Sequence, residues 1–162
     1  MICGAACKEV IDFGMMPIAN GFLAPEDVNR EERFPLVVVV CPTCAMVQLA
    51  HPVPQARLFP AEYAFHSSTS AHMAAHFEAF AASVLRGLAG TRDPLVVEIG
   101  SNDGIFLRHI AAAGVRHVGV EPAANVANVA RANGVETVSR FFDAALAEEL
   151  LGTHGPADVI VG

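Results

Sequence analysis

The chain has no tryptophan, one tyrosine and one lysine, Lys8, among its 162 residues. Ten basic against seventeen acidic residues give a formal net charge of −7, which disfavours a basic face for nucleic acid. The longest strongly apolar stretch, Leu36 to Cys41, stops at Pro42 and is far shorter than the roughly 20 residues of a membrane-spanning helix. Lys8 and Glu9 come too early for the apolar part of a secretory signal. These absences predict a soluble, cytoplasmic protein without nucleic-acid or membrane partners.

What the chain does contain divides it into two regions of different composition. With 53% hydrophobic and 17% charged residues and a mean hydropathy of +0.43, it is too apolar to be disordered. All four cysteines and seven of the ten prolines lie at or before Pro60, whereas the part after Leu95 is rich in alanine, valine and glycine. We therefore expect one domain at 1–60, a connecting helical segment at 61–94, and a second domain at 95–162.

The sequence of the first region predicts short strands around a turn. The stretch from Ile11 is expected to end in a turn at Gly14. A β-branched run, Phe34 to Val40, leads into the cysteine-containing turn, and a short strand ending at Leu49 leaves it. A unit of this size buries little apolar surface and usually needs a disulfide or a bound metal ion for stability.

The four cysteines, which occur as two close pairs, are candidates for this stabilising role. Cys41 and Cys44 form a C-x₂-C turn whose sulfurs can reach one tetrahedral ion, and zinc also tolerates the wider spacing of Cys3 and Cys7. Without a secretory signal the thiols are expected to stay reduced, which favours a metal over disulfides. We therefore predict one zinc ion on these four residues. Four buried free thiols are the alternative, and the pairing makes it less favoured.

A helix is predicted to begin after Ser70 as N-cap and to run to about Leu88, because its apolar residues recur at spacings of three and four. Tyr63 and a hydroxyl cluster that begins at Ser67 precede it. These side chains either line a cofactor cleft or simply begin the helix, and spacing alone favours the second explanation.

From Leu95 onward strands and helices alternate, which predicts an α/β fold with a parallel sheet and right-handed crossovers. The expected strands are 95–99, 117–120, 135–138 and 158–161, and the expected helices are 105–113, 123–133 and 143–151. This order is that of a partial Rossmann-like domain.

The strongest local motif runs from Glu98 to Gly104, between the first strand and the first helix of this region. Gly100 and Gly104 permit a tight turn and a close ligand approach, at the sheet edge where α/β proteins bind ligands. Seventeen residues later Glu121 ends the second strand, where an acid can accept hydrogen bonds from both ribose hydroxyls.

The loop composition narrows the choice of ligand. A dinucleotide fingerprint requires glycine where Asn102 stands, and Asp103 would place an anion beside the pyrophosphate. S-adenosylmethionine carries a ribose but no phosphate, and its cationic groups favour nearby carboxylates. S-adenosylmethionine is therefore the preferred cofactor. An NAD-dependent oxidoreductase is the least favoured functional hypothesis, because the glycine pattern differs. The alternative is that the motif is an ordinary α/β turn without a ligand and that the glutamate is incidental.

Several segments resemble the S-adenosylmethionine-dependent sugar C-methyltransferases that act on nucleotide-linked keto-deoxysugars. The matching segments are Val10 to Asn20, Phe34 to Leu36, Cys41 to Cys44, Val47 to Leu49, Tyr63 to Ser70, Glu98 to Gly104 and Gly119 to Ala123. The resemblance implies an N-terminal zinc domain followed by a cofactor-binding domain. With the loop pattern, the expected cofactor contacts are Tyr63, Ser67, Glu98, Gly100, Asn102, Gly104, Glu121, Pro122 and, beside the adenine, Phe142.

The chain departs from the family pattern at two places. In the family the first zinc pair is C-x-x-C followed by glycine, so Cys3 matches its second member, and either Cys7 replaces the first or that ligand is lost. The family's proposed base follows the fourth strand, beyond Gly162. We therefore expect a truncated form that lacks the base, with no catalytic residue assigned and no oligomeric state predicted. The alternative function is a zinc-dependent, non-catalytic binding module.

Overall fold

The computed structural model describes residues 3–19 and 21–162, so Asn20, the last residue of one family motif, lies outside the described residues. The chain forms two compact units, Met1–Leu58 and Phe59–Gly162. Within the described ranges, no helix is long and apolar enough to cross a membrane.

The first unit contains a small antiparallel sheet. Its elements in chain order are β1 (Lys8–Pro17), a 3₁₀ helix (Pro25–Arg30), β2 (Arg33–Val40), β3 (Val47–Leu49) and the short α1 (Gln55–Leu58). The strands lie in the order β1-β2-β3 and pair antiparallel. Among the described residues of this unit only Val37, Val39 and Cys41 are buried, so its apolar core is very small.

Gly14 does not end the first strand, and the expected turn there is wrong. The ladder between β1 and β2 continues to Pro17, with an irregularity between Asp12 and Met15. Gly14 has a φ of +75°, and its N–H donates to the Asp12 carboxylate at 2.7 Å. The glycine thus forms a β-bulge, because pairing with β2 on both sides outweighs the local turn preference.

The second unit is an α/β domain. After a 3₁₀ turn (Ser67–Thr69) its elements are α2 (Ala71–Gly87), β4 (Leu95–Ile99), α3 (Leu107–Ala112), β5 (Arg116–Val120), α4 (Ala124–Ala132), β6 (Thr137–Val138), α5 (Ala144–His154) and β7 (Val159–Val161). The strands form one parallel sheet in the order β6-β5-β4-β7. The α/β fold class with a partial Rossmann-like sheet is confirmed.

Local signals place the helix ends as the sequence indicates. The Ser70 side chain caps α2 by accepting a hydrogen bond from the N–H of Met73 at 3.3 Å. Gly114 and Gly134 follow α3 and α4 with φ values of +71° and +80°. Glycine adopts this left-handed conformation without the steric cost of a Cβ, so each helix stops there.

Helices cover both faces of β4 and hold its carboxyl end in place. One face packs Val96 against α2 and α3, with the fully buried Ile110 of α3 and the fully buried Phe106 just before that helix. The other face packs Val97 against α5, which contributes Leu146. The loop that follows β4 is therefore anchored on a rigid strand.

Replacing Gly119 with alanine is expected to destabilise the second unit by about 1–3 kcal/mol, the usual range for overpacking. Gly119 pairs with Glu98 in the sheet, and an added Cβ would lie 2.5 Å from Ser101 Oγ and 2.9 Å from Ser101 Cβ. Urea unfolding followed by circular dichroism measures the change. Gly152→Ala on α5 is the matched control, since no atom lies within 4 Å of its added Cβ and alanine favours a helix. Equal stability of the two variants would contradict the packing argument.

Candidate cofactor and metal sites

Three buried acids lie where the adjacent parallel strands β4 and β5 end. Glu98 is in β4, Asp103 lies in the loop after it, and Glu121 directly follows β5. Their residues are only 6%, 2% and 5% exposed. Burial of three carboxylates at one edge is costly unless cations or hydrogen-bond donors compensate them. Such compensation must therefore be available to these three carboxylates.

Glu121 receives donors from both loops at this edge. Its Oε2 accepts a hydrogen bond from the N–H of Asn102 at 3.0 Å, and its Oε1 accepts one from the N–H of Ala123 at 2.8 Å. A carboxylate has about four acceptor positions, so two backbone donors leave capacity for further hydroxyl donors. Glu121 thus connects the two loops and has acceptor capacity for a further donor, and its contact with a ribose stays a prediction.

Glu98 and Asp103 are less well compensated. Within the described part of the chain, Glu98 Oε2 and Asp103 Oδ1 are buried without a hydrogen-bond partner. Burial, followed by the charges of Asp103 and Glu121, raises the pKa of Glu98 to about 8. Buried acceptors without partners favour a ligand that brings a positive charge and N–H donors. The ammonium group of S-adenosylmethionine has this chemistry, so the residues fit that cofactor.

Replacing Glu98 with glutamine is expected to remove a pH dependence of stability. The folded-state pKa of Glu98 is raised from 4.5 to about 8, so between these values the folded protein holds a proton that the unfolded chain has released. Stability contributed by this group therefore falls as pH rises through that window, by at most about 1.4 kcal/mol per pH unit. Urea unfolding at pH 5 to 8.5 measures the free-energy difference between the two proteins.

The difference should grow with pH in favour of Glu98→Gln and level off above pH 8. Glu148→Gln, which changes an exposed glutamate on α5, is the matched control. A constant free-energy difference between Glu98→Gln and the unaltered protein across this range would contradict the raised pKa.

The predicted contacts Tyr63 and Ser67 lie at the same edge of the sheet. The N–H of Tyr63 donates to Asn125 Oδ1 at 3.0 Å, and Asn125 Nδ2 donates to the carbonyl of Tyr63 at 2.8 Å. The N–H of Ser67 donates to Asn102 Oδ1 at 2.9 Å. Ser70 caps the following helix, as predicted, and Ser67 lies in the 3₁₀ turn directly before that cap.

The sequence patterns do not predict Asn125 at this edge, nor the residues that contact Asp103. Asn125 near the start of α4 carries no local signal beyond its residue type. Asp103 accepts hydrogen bonds at Oδ2 from the N–H and the hydroxyl of Ser68, at 3.0 and 2.6 Å. His66 Nδ1 lies 3.9 Å from the same oxygen. The contacts of Asn125 and those of Asp103 each join residues at least 35 positions apart in the chain. Periodicity and local spacing do not reveal contacts over such distances.

The two glycines of the loop occupy positions that glycine suits. Gly100 has a φ of +76°, and its N–H donates to the carbonyl of Val120 at 2.8 Å. Gly104 has a φ of +78°, and a Cβ there would lie 3.0 Å from Val135 Cγ2. Pro122, also expected at the cofactor, is half-buried between Glu121 and Ala123. Their contact with a cofactor stays a prediction.

Phe142 lies in the loop between β6 and α5 and is 37% exposed. It lines an apolar cavity of about 150 Å³ together with Val118, Leu150 and Ile160. The cavity lies on the face of the sheet that α5 covers. A position beside the adenine stays a prediction for this residue.

Three of the four cysteines converge in the first unit. The sulfurs of Cys3, Cys41 and Cys44 all lie within 4.8 Å of one another, and those of Cys3 and Cys41 are 3.4 Å apart. Tetrahedral zinc with Zn–S bonds of about 2.3 Å requires sulfur separations of about 3.8 Å. The donor set therefore fits zinc.

The turn that carries Cys41 also favours its thiolate. The N–H of Cys41 donates to the carbonyl of Met46, and the N–H of Ala45 donates to the carbonyl of Cys41, both at 2.9 Å. Hydrogen bonds from the backbone of Cys44 and Thr43, and then from the Cys3 thiol, lower the pKa of Cys41 to about 6. Since the thiolate is the metal ligand, this turn is prepared for a cation.

Cys7 is not one of the three converging sulfurs. Its Sγ accepts a hydrogen bond from Gln48 Nε2 at 3.1 Å, and Gln48 lies in β3. The structure thus brings Cys3, Cys41 and Cys44 together and places Cys7 outside that group. Its role as a fourth ligand stays a prediction.

Buried acids beyond the carboxyl ends of adjacent parallel strands are typical of α/β proteins that bind nucleoside-containing cofactors. Within that class the chain is similar to methyltransferases. Residues 1–59 match the methyltransferase family described as "Putative zinc binding domain". Over 155 residues the chain is 37% identical to the C-methyltransferase NovU of Streptomyces niveus, a match that covers 95% of this chain.

The similarity extends over nearly the whole chain, which confirms the resemblance to the C-methyltransferases inferred from the sequence motifs. The match covers 37% of the relative, so the chain spans a little more than a third of that protein's length. Methyltransferase homology implies S-adenosylmethionine, and the matched domain together with the three cysteines supports zinc.

Proposed function

We propose that this chain binds zinc and S-adenosylmethionine as part of a C-methyltransferase that acts on a nucleotide-linked 4-keto-deoxysugar. The observation that carries the proposal is the group of buried acids at the carboxyl edge of the sheet, two of which have buried oxygens without partners in the described chain. The similarity to a C-methyltransferase supports the reaction class, and the sugar substrate rests on the family motifs.

The three acids divide two roles between them in this proposal. Glu121 binds the ribose hydroxyls while its two backbone contacts keep the loops of Asn102 and Ala123 in place. Glu98 and Asp103 accept hydrogen bonds from the ammonium group, whose positive charge favours the ionised form of Glu98. The bound cofactor supplies an electrophilic methyl group for transfer to a sugar carbon. In the first unit, Cys3, Cys41 and Cys44 hold a zinc ion that compensates for the very small apolar core.

Calorimetry with the zinc-loaded chain tests the cofactor assignment. We expect S-adenosylhomocysteine to bind at about one per chain and NAD not to bind. Methylthioadenosine, which lacks the amino-acid part, should bind more weakly than S-adenosylhomocysteine, because it gives Glu98 and Asp103 no ammonium group. Binding of NAD alone would overturn the proposal.

The second candidate function is a zinc-dependent binding module, which the cysteine cluster alone would support. One zinc per chain without binding of either cofactor in the same calorimetry would favour this module over the enzyme.

A further inference from the structure

Residues 61–69 form a strap across the carboxyl edge of the parallel sheet. At one end the carbonyl of Ala61 accepts a hydrogen bond from the N–H of Asn125 at 3.2 Å, just after β5. At the other end Ser68 donates twice to Asp103, just after β4. Since β4 and β5 are adjacent and parallel, the strap spans the loops that carry the buried acids.

Asn125 holds the first part of the strap through a pair of opposed hydrogen bonds with Tyr63. Its Oδ1 accepts from the N–H of Tyr63, and its Nδ2 donates to the carbonyl of the same residue. This contact imitates the pairing between two strands and needs one donor and one acceptor in the same side chain. Only an amide side chain supplies both in this geometry.

Asn102 joins the strap to Glu121. It has a φ of +49°, which is uncommon for a residue with a Cβ but tolerated by asparagine. Its side chain accepts from the N–H of Ser67 and donates to the carbonyl of Phe65 at 3.1 Å, while its own N–H donates to Glu121. This double contact explains asparagine where a dinucleotide-binding loop has glycine.

We propose that Asn125 and Asn102 are positioning residues that hold the strap as one wall of the cofactor site, with Tyr63 and Ser67 at its edge. The inference rests on the proposed function, because it takes Glu121 as the ribose-binding acid. A ligand on Glu121 fixes the loop of Asn102, and through the two side-chain contacts of Asn102 it orders the strap. Bound cofactor and an ordered strap therefore stabilise each other.

Hydrogen exchange and calorimetry on the full chain test this coupling with two variants. Asn125→Ala removes one pair of side-chain contacts, and Asn102→Gly removes the other while glycine keeps the positive φ. Asn128→Ala is the matched control, because Asn128 is an exposed residue of α4 that contacts Arg131 instead of the strap.

For the unaltered protein we expect S-adenosylhomocysteine to slow exchange in residues 61–69. In both variants these amides should exchange faster without ligand, and the Kd should rise about 30-fold for two lost hydrogen bonds of ordinary strength. The control should keep both values.

A lower thermal stability with an unchanged Kd would show that the two asparagines are only structural, and would overturn the positioning role while the methyltransferase assignment stands. If the unaltered chain fails to bind S-adenosylhomocysteine, the proposed function falls and the positioning role falls with it. Exchange without ligand then still shows whether the two asparagines hold the strap.

Discussion

Removing zinc with a chelator is expected to unfold residues 1–58 and to leave the parallel sheet of residues 59–162 folded. The first unit buries only Val37, Val39 and Cys41 among its described residues, which is too little apolar surface for independent stability. Structural zinc contributes roughly 10–16 kcal/mol of apparent binding free energy in small domains. Removal of the zinc is therefore expected to destabilise this unit more than loss of any single side-chain contact. Hydrogen exchange with and without chelator resolves the two units, and metal analysis gives the zinc content.

Cys41→Ser should reproduce the effect of the chelator, because the Cys41 sulfur lies in the converging group. Thr43→Ala is the matched control, since it changes the same turn and keeps every thiol. Cys7→Ser decides the fourth ligand: an equal loss of zinc assigns Cys7 to the site, and retained zinc assigns the fourth position elsewhere. Well under one zinc per purified chain, or a first unit that stays folded with chelator, would defeat the zinc prediction.

Glu121→Ala is expected to weaken binding of S-adenosylhomocysteine and to lower the stability of the second unit. A lost buried hydrogen bond to a charged group is worth about 1–3 kcal/mol, which corresponds to a Kd about 5- to 150-fold higher. The same change leaves the N–H groups of Asn102 and Ala123 without their acceptor, so we expect a similar loss of stability for each. Calorimetry measures the first effect and urea unfolding the second.

Two further variants separate these effects. Glu121→Gln keeps one acceptor oxygen and should retain part of the stability, but it places an amide where the ribose hydroxyls are expected. Glu78→Ala removes an exposed glutamate of α2 and is the matched control. Equal affinities of Glu121→Ala and the unaltered protein would show that Glu121 organises the loops without contacting the cofactor.

Much of the second unit was predictable because its signals are local. Ser70 accepts a bond from a residue three positions away, and Gly114 and Gly134 stop helices through their own backbone conformation. The alternation of apolar strands with helices also determines a parallel sheet, since parallel neighbours need a crossover. These features depend on residues within about one helical turn or one βαβ unit.

Much of the site was not predictable because its contacts are distant. Three glutamate or aspartate residues near strand ends are visible in the sequence, but their burial and the raised pKa of Glu98 depend on how α2 and α3 pack on β4. The spacing of the cysteines also predicts a metal site without showing which sulfurs meet. Only the fold brings Cys3, from the start of the chain, to 3.4 Å from Cys41.

The amino-acid sequence alone shows the order of strands and helices, the cysteine turn, and the acids near the ends of two strands. Only the assembled fold shows that Gly14 forms a bulge, that Cys7 lies outside the converging sulfurs, and that a strap crosses the sheet edge. The physical reason is the range of the interactions. Caps, turns and periodicity act over a few residues, whereas the contact between Asn125 and Tyr63 joins residues 62 positions apart and forms only when the sheet is assembled.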